Sequence, residues 1–311
     1  MCTTVALMLD GFFFGRNMDL EGSFGERVVI TPRNYPFCFR RTEPSFSHYA
    51  IMGTAAVVDG YPLYADAVNE KGLCGAGLNF PYNAYYPKWG RGIKTEISPF
   101  ELIPWVLGQC ATVAEARALL VHTAVVDEPF SPDLPLTPLH WHFADQSGAI
   151  VVEPMGDGLK IYDDPQGVLT NNPTFPLQLE QLKRYSDLDN HSSVMPLVEP
   201  SVFSLGLGGV GIPGDYSSAA RYARAAYLKK YLQAGRESAA QVTAVFSLLG
   251  AVAPPPGCVL DEEGRPHYTT YSCCMDAKNG KYYVKKADHL EVFSVSFDKN
   301  DLAGERLVSF L

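Results

Sequence analysis

Residues 2–16 read Cys2-Thr3-Thr4-Val5-Ala6-Leu7-Met8-Leu9-Asp10-Gly11-Phe12-Phe13-Phe14-Gly15-Arg16. Thr3 to Leu9 and Phe12 to Arg16 are rich in β-branched and aromatic residues. Asp10-Gly11 between them is a two-residue hairpin signal, because both residues tolerate the left-handed backbone of a tight turn. The spacing predicts a hairpin that carries the start of the chain straight into a sheet.

Outward from that hairpin the same reasoning predicts strands over Arg27 to Thr31, Tyr49 to Val58, Tyr61 to Val68 and Leu73 to Asn79. Ser98-Pro99 opens a helix to about Gln109, with Pro99 in the first turn. Thr112 caps a second helix, Val113 to Leu120. After the Pro-rich stretch Phe130 to Pro138, strands resume at Leu139 to Ala144, Ala149 to Glu153, Leu159 to Tyr162 and Val168 to Thr170. Helices follow over Pro176 to Tyr185, Ser217 to Gln233 and Ala239 to Leu249. The chain then returns to strands at His267 to Cys274, Lys281 to Lys285 and Leu290 to Phe297. Runs of strands, then helices, then strands predict an α+β fold with antiparallel sheets and helices on their outer faces. The segment from about 186 to 213 is rich in Ser, Gly and Pro, and a loop that long has a function or mediates assembly.

Composition narrows the function. The 311 residues carry a net charge of -9 and no run of Lys/Arg longer than two, which excludes a phosphate-driven nucleic-acid binder and a polybasic membrane patch. No apolar stretch approaches the ~20 residues of a membrane span. The N-terminus lacks a basic region before a long apolar one, so no secretory signal is expected. Seven cysteines, an odd number without a CxxC pair, read as reduced thiols in a cytoplasmic protein.

Three signals look chemical. Gly206 to Gly211 matches GxGxxG, but Pro213-Gly214 follows where a helix would have to open, so it reads as a loop rather than a dinucleotide site. His140-Trp141-His142 puts two imidazoles on one strand face. Zinc needs three or four ligands, and no partner is spaced to supply them, so packing or hydrogen bonding is expected and no metal or cofactor. Cys2 differs by position. An initiator Met before a small residue is normally removed, which leaves a thiol and an α-amine on one residue. Their reference pKa values, roughly 8.5 and 7.7–8.0, let both change protonation near neutrality. The thiol attacks and the amine takes its proton, with no histidine required. The plain alternative is an arbitrary residue on a frayed terminus. The hairpin argues against it, because it pins Cys2 and returns Gly15-Arg16-Asn17-Met18-Asp19 beside it.

These blocks, with Asn69-Glu70-Lys71-Gly72-Leu73, Gly77-Leu78-Asn79-Phe80-Pro81, Leu169-Thr170-Asn171-Asn172-Pro173 and Pro213-Gly214-Asp215 through Arg221, span nearly the whole chain. Together they resemble the choloylglycine hydrolase family of N-terminal-nucleophile (Ntn) hydrolases, which includes bile salt hydrolases and penicillin V acylases. The resemblance implies a four-layer αββα sandwich of two antiparallel sheets, formed by one domain over residues 2–311, and a homotetramer. It implies Cys2 as nucleophile and its amine as base, with Arg16 and Asp19 around them. It further implies an oxyanion hole from the Asn171 side chain and the Asn79 backbone N–H, and Arg221 completing the charged set. Met18, Val58, Phe130, Leu134 and Leu139 stand where relatives line the substrate pocket. Bile salt hydrolases tend to have Asn where Asn79 stands and penicillin V acylases Tyr. The expected reaction is therefore cleavage of the amide between a bile acid and glycine or taurine. A penicillin V or N-acyl homoserine lactone acylase is the nearest rival, and a non-catalytic binder of amphipathic anions the rival of another class. Gly22, where relatives often have an aromatic residue, implies a more open pocket wall, and Ala220 stands before Arg221 where Ser is common.

Overall fold

The computed structural model describes residues 1–90, 92, 94–191 and 205–310. The chain runs β1 (Cys2–Met8), β2 (Phe12–Leu20), β3 (Arg27–Thr31), β4 (Ile51–Val58), β5 (Tyr61–Asn69), β6 (Cys74–Asn79) and β7 (Thr95–Ile97). Helices α1 (Leu102–Gln109) and α2 (Val113–Val121) precede β8 (Thr123–Val125), β9 (Leu139–Asp145), β10 (Gly148–Met155), β11 (Gly158–Asp163) and β12 (Val168–Leu169). Then come α3 (Phe175–Leu182), α4 (Ser218–Tyr231), α5 (Ser238–Gly250), β13 (Tyr268–Asp276), β14 (Lys281–Lys286), β15 (Phe293–Ser296) and β16 (Val308–Phe310).

Two antiparallel sheets dominate, in the orders β12-β1-β2-β13-β14-β15 and β11-β10-β9-β6-β5-β4-β3-β16. Helices α4 and α5 pack on β1, β2, β12 and β13 of the first sheet, while α1 and α2 pack on β5, β6, β9, β10 and β11 of the second. Strand β1 touches β6 and β9 across the gap between the sheets. The layers are therefore αββα, the sandwich expected of an Ntn hydrolase.

Side-chain alternation explains why the strands look so uniformly apolar. In the second sheet Val28, Ile30, Met52 and Val151 join the core between the sheets, whereas Val29, Ile51, Ile150 and Val152 join the core under α1 and α2. A strand covered on both faces must be apolar at successive positions. In the first sheet Phe13 and Phe14 are both buried, one on each side of β2. Each fully buried aromatic of this kind stabilises by roughly 1.5–3 kcal/mol. Gly15 follows them on the face toward α5: a Cβ there would come within 2.8 Å of Val245. The glycine lets α5 lie directly on β2.

Strand β2 runs on to Leu20, past the predicted end at Arg16, and so carries Met18 and Asp19 into the sheet. Strand β15 begins only at Phe293, and Leu290 is exposed. The sequence reading missed β7, β8 and β16, which have three residues each and are too short for alternation to register. The described part of the predicted assembly loop forms a short 3₁₀ turn at Leu207–Gly209, and residues 192–204 lie outside the described part. No helix among the described residues is long and apolar enough to cross a membrane.

Candidate active site

Three strand ends meet at Cys2. Strand β1 begins there, β12 pairs with β1 through Thr4 and Leu169 and delivers Asn171 two residues later, and β6 ends on the opposite sheet at Asn79. In the β1–β2 ladder Cys2 faces Met18 and Thr4 faces Arg16, so these four side chains share the face between the sheets. Asp19 has the opposite parity and points to the helix side, where α4 supplies Arg221. The charged groups thus approach the strand terminus from both faces of one sheet.

On the inter-sheet side, the Arg16 guanidinium donates from Nη2 to Cys2 Sγ at 3.4 Å and to the Gly77 carbonyl at 2.7 Å. Its Nη1 donates to the Ala65 carbonyl and pairs with Asp66 Oδ2 at 3.2 Å. Met18 Sδ lies 3.7 Å from the Cys2 sulfur. Arg16 is 1% exposed and Asp66 is fully buried, so the pair depends on the partners of its charged ends, with Arg16 Nε alone of the guanidinium nitrogens left without one. Asp66 also accepts from Tyr271 at 2.6 Å and Tyr282 at 2.5 Å, and the Cys273 thiol lies at 3.4 Å.

On the helix side, Arg221 donates to the Cys2 carbonyl at 2.5 Å, Thr3 Oγ1 at 2.7 Å and Asn171 Oδ1 at 2.7 Å. Asp19 Oδ1 accepts from Thr269 at 2.6 Å, while its Oδ2 is 3.9 Å from Arg221, too long for a hydrogen bond. That oxygen is buried without a donor. Met1 extends the β1–β2 ladder by one residue, with its ammonium 2.7 Å from the Asp19 carbonyl and its own carbonyl accepting from the Asp19 amide at 3.0 Å.

Asn171 ties the two sheets. Its Oδ1 accepts from the Cys2 amide at 2.9 Å and its Nδ2 donates to the Asn79 carbonyl at 2.7 Å. An amide nitrogen has two hydrogens, so one remains for a further acceptor. The Phe80 amide donates to the Pro138 carbonyl at 2.7 Å. Amides alternate sides along an antiparallel strand, so the Asn79 N–H points to the other edge, which β5 has left beyond the Asp66–Ala76 pair.

The electrostatics favour a reactive sulfur. Burial raises the Cys2 thiol, but Arg16 and the Met1 ammonium outweigh it, and with Met1 in place the thiol titrates below its ordinary value. Burial raises the Asp19 carboxyl, which Arg221 offsets only in part. Cys74, Cys273 and Cys274 are pushed up by burial, so the other buried thiols near the core are inert beside Cys2. A lowered thiol, cations on two sides and amide donors from two strands can together stabilise a thiolate and an oxyanion.

The structure brings all six expected charged and polar residues together: Cys2, Arg16, Asp19, Asn79, Asn171 and Arg221. Of the expected pocket residues, Met18 abuts Cys2 and half-buried Leu139 pairs with Asn79. Val58 ends β4, half-buried, and Leu134 is 39% exposed. Phe130 packs edge-on to Phe100 at 5.2 Å, with Tyr61 at 5.9 Å and Arg40 over its ring. The two strand histidines share one face, as their spacing requires, and that face meets the first sheet. His142 meets Thr4 Oγ1 at 2.9 Å, and His140 meets the Thr170 carbonyl at 3.0 Å. Gly206 to Gly211 is a loop, with left-handed backbone at Gly206 and Gly211. Sequence reasoning missed Asp66, Tyr271, Tyr282 and Ser218. Ser218 alone had a signal, through its place in the block that leads to Arg221.

A family model described as linear amide C–N hydrolases, choloylglycine hydrolase family, matches residues 2–310. A bile salt hydrolase/transferase of Lactiplantibacillus plantarum is 44% identical, covering 100% of this chain and 96% of that protein. A crystal structure of a variant conjugated bile acid hydrolase from Clostridium perfringens superposes with a TM-score of 0.91 at 33% identity, covering 100% of this chain and 97% of that one. Penicillin V acylase from Agrobacterium tumefaciens shares the fold, with a TM-score of 0.79 at 22% identity over 99% of this chain and 90% of that one. With a buried cysteine at the head of its first strand, Arg16 at the sulfur and Arg221 on the carbonyl of the same residue, and with the family model matched over residues 2–310, this protein belongs to the choloylglycine hydrolase family of enzymes that cleave linear amide C–N bonds.

Proposed function

We propose that the chain hydrolyses the amide between a bile acid and glycine or taurine, with Cys2 as nucleophile and its α-amine, freed by removal of Met1, as base. The observation that carries this reading is the placement of Cys2, with Arg16 Nη2 3.4 Å from the sulfur and Asn171 Oδ1 2.9 Å from the nitrogen. The buried, donorless Oδ2 of Asp19 supplies an acceptor for the ammonium that forms when the amine takes a proton. The names of the full-length relatives supply the substrate class.

In the first step the thiol proton passes to the amine and the C–S bond forms at the substrate carbonyl. Its oxygen becomes an oxyanion between the second Nδ2 hydrogen of Asn171 and the Asn79 N–H. One such donor is worth ~2.7–4 kcal/mol. Collapse breaks the C–N bond, and the ammonium protonates the departing amino group of glycine or taurine. Water then attacks the thioester, giving its proton to the amine, and the thiol leaves reprotonated with the free bile acid. Arg221 holds the Cys2 carbonyl and so orients the residue that is both nucleophile and base. Met18, Val58, Phe130, Leu134 and Leu139 form the apolar wall for the steroid, with Met18 next to the reacting atom. The assembly is a homotetramer in the cytoplasm, a compartment that suits seven unpaired thiols.

The test measures amine release from glycocholate, taurocholate and penicillin V, with intact-mass analysis of the same sample. Conjugated bile salts are expected to turn over fastest, on protein that begins at Cys2. Fastest turnover of penicillin V would replace the substrate class. Saturable binding without amine release would make the protein a binder. Full activity with Met1 retained would remove the single-residue mechanism.

A further inference from the structure

His140 stands at 0% exposure between the two segments that meet at Asn171 and Asn79. Its Nε2 lies 3.0 Å from the Thr170 carbonyl. A carbonyl only accepts, so Nε2 carries a proton and donates it. Thr170 and Asn171 share that peptide plane, and the other end of the plane is held as well, since the Asn171 amide donates to Ser218 Oγ at 2.9 Å. The imidazole therefore fixes the carbonyl end and α4 the amide end of the peptide from which the Asn171 side chain departs.

The same ring reaches the second segment. It stacks face to face on Phe80, with centroids 4.2 Å apart and planes 6° from parallel. Phe80 follows Asn79, and its amide is anchored on Pro138. Behind the imidazole, Glu153 Oε1 faces Nδ1 at 3.3 Å and also accepts from the Phe175 amide at 2.9 Å, where α3 begins. His140 is thus held from behind and touches both sides of the gap that Asn171 bridges.

We propose that His140, backed by Glu153, is a positioning residue that sets the spacing between the Asn171 amide and the Asn79 N–H, and hence the fit of the oxyanion. The inference rests on the oxyanion roles proposed above. A hydrogen bond to one segment and a stacked ring on the other add to the direct Asn171–Asn79 bond and hold the two strand ends as one frame. Misplacement by ~1 Å at such a frame costs on the order of a hundredfold in rate.

Three variants test the assignment on glycocholate, with iodoacetamide labelling of Cys2 measured in parallel. His140→Phe keeps a stacking ring and loses the donor to Thr170. His140→Asn keeps polarity but is too short to reach that carbonyl, and His140→Gln restores a donor near the Nε2 position. We expect Phe and Asn to lower kcat by at least about tenfold with KM within about twofold, and Gln to recover most of the loss. Cys2 labelling is expected to change by less than kcat, because Asn171 touches the Cys2 nitrogen and Arg16, which His140 does not position, touches the sulfur. Wild-type kcat in His140→Asn, or equal losses in Asn and Gln, would overturn the proposal. These two variants decide the matter even if His140→Phe fails to fold. Absence of amine release from the wild type would instead refute the function proposed above.

Discussion

Replacing Asn171 by Ala separates what this residue does for the fold from what it does for the reaction. The substitution removes one acceptor, which serves the Cys2 amide at 2.9 Å and Arg221 Nη2 at 2.7 Å, and one donor bond to the Asn79 carbonyl at 2.7 Å. Leaving a buried donor unpaired costs roughly 1–3 kcal/mol, so two orphaned donors cost roughly 2–4 kcal/mol here, toward the low end because Arg221 keeps other acceptors. At about 2–4 °C per kcal/mol for a chain somewhat larger than most single domains, Tm falls by roughly 5–15 °C. The reaction loses more. If one Nδ2 hydrogen stabilises the oxyanion, its removal costs ~2.7–4 kcal/mol, a loss of ~10²–10³ in kcat. That bond forms with the transition state and not with bound substrate, so KM stays within about twofold. The assay is steady-state glycine release from glycocholate, run well below the variant's Tm, with Cys2 titrated by alkylation to count folded sites. A folded variant whose kcat stays within about threefold of wild type would refute the oxyanion role. So would retained kcat with a raised KM, which would make Asn171 a ground-state contact.

Cys2→Ser is expected to fold and lose nearly all turnover, since a hydroxyl is a far weaker nucleophile at neutral pH; retention of most activity would remove Cys2 from the reaction. In the chain that retains Met1, Arg16 and the Met1 ammonium outweigh burial and hold the Cys2 thiol below its ordinary value, so iodoacetamide labelling of Cys2 in that form should persist to lower pH than labelling of an ordinary thiol. Substituting Arg16→Gln and Asp66→Asn together leaves no unpaired buried charge and should move that labelling midpoint up, because burial then acts without the guanidinium; an unmoved midpoint would show that Arg16 does not tune the sulfur. Phe130→Ala is expected to raise KM for bile-salt conjugates by the equivalent of ~1–3 kcal/mol of lost apolar contact and to leave a short aliphatic acyl amide nearly unaffected. Since Phe130 also packs on Phe100 and Tyr61, equal losses on both substrates would assign it to the support of its loop instead.

The hairpin at the start of the chain was legible because its information is local: Asp10-Gly11 marks the turn region and flanking β-branched and aromatic residues mark the strands, but the loop that forms is Leu9 to Gly11, three residues rather than two, with neither Asp10 nor Gly11 in left-handed backbone. The same holds for the long helices and most strands, whose periodicities need only a window of neighbours. The placement of Arg16, Met18 and Asp19 beside Cys2 was legible from the hairpin, and the grouping of the six central polar residues from the order of family blocks along the chain. What the sequence could not contain was the pairing of faces. Alternation tells which residues share a side of a strand, but not which strand lies opposite. Asp66 looked like one carboxylate among many until the second sheet brought it to Arg16, fifty residues away, and β13 and β14 laid Tyr271 and Tyr282 over it, more than two hundred residues away. Thr269 reaches Asp19 across 250 residues because β13 pairs with β2 within the first sheet, a partnership that alternation does not reveal either. His140 and His142 were placed on one strand face by spacing, yet their separate partners, the Thr170 carbonyl and Thr4, exist only because β9 packs across from β1 and β12. Burial decides the rest. A charge is forced to find partners only once water is excluded, and that exclusion belongs to the packed sandwich rather than to any segment of the chain.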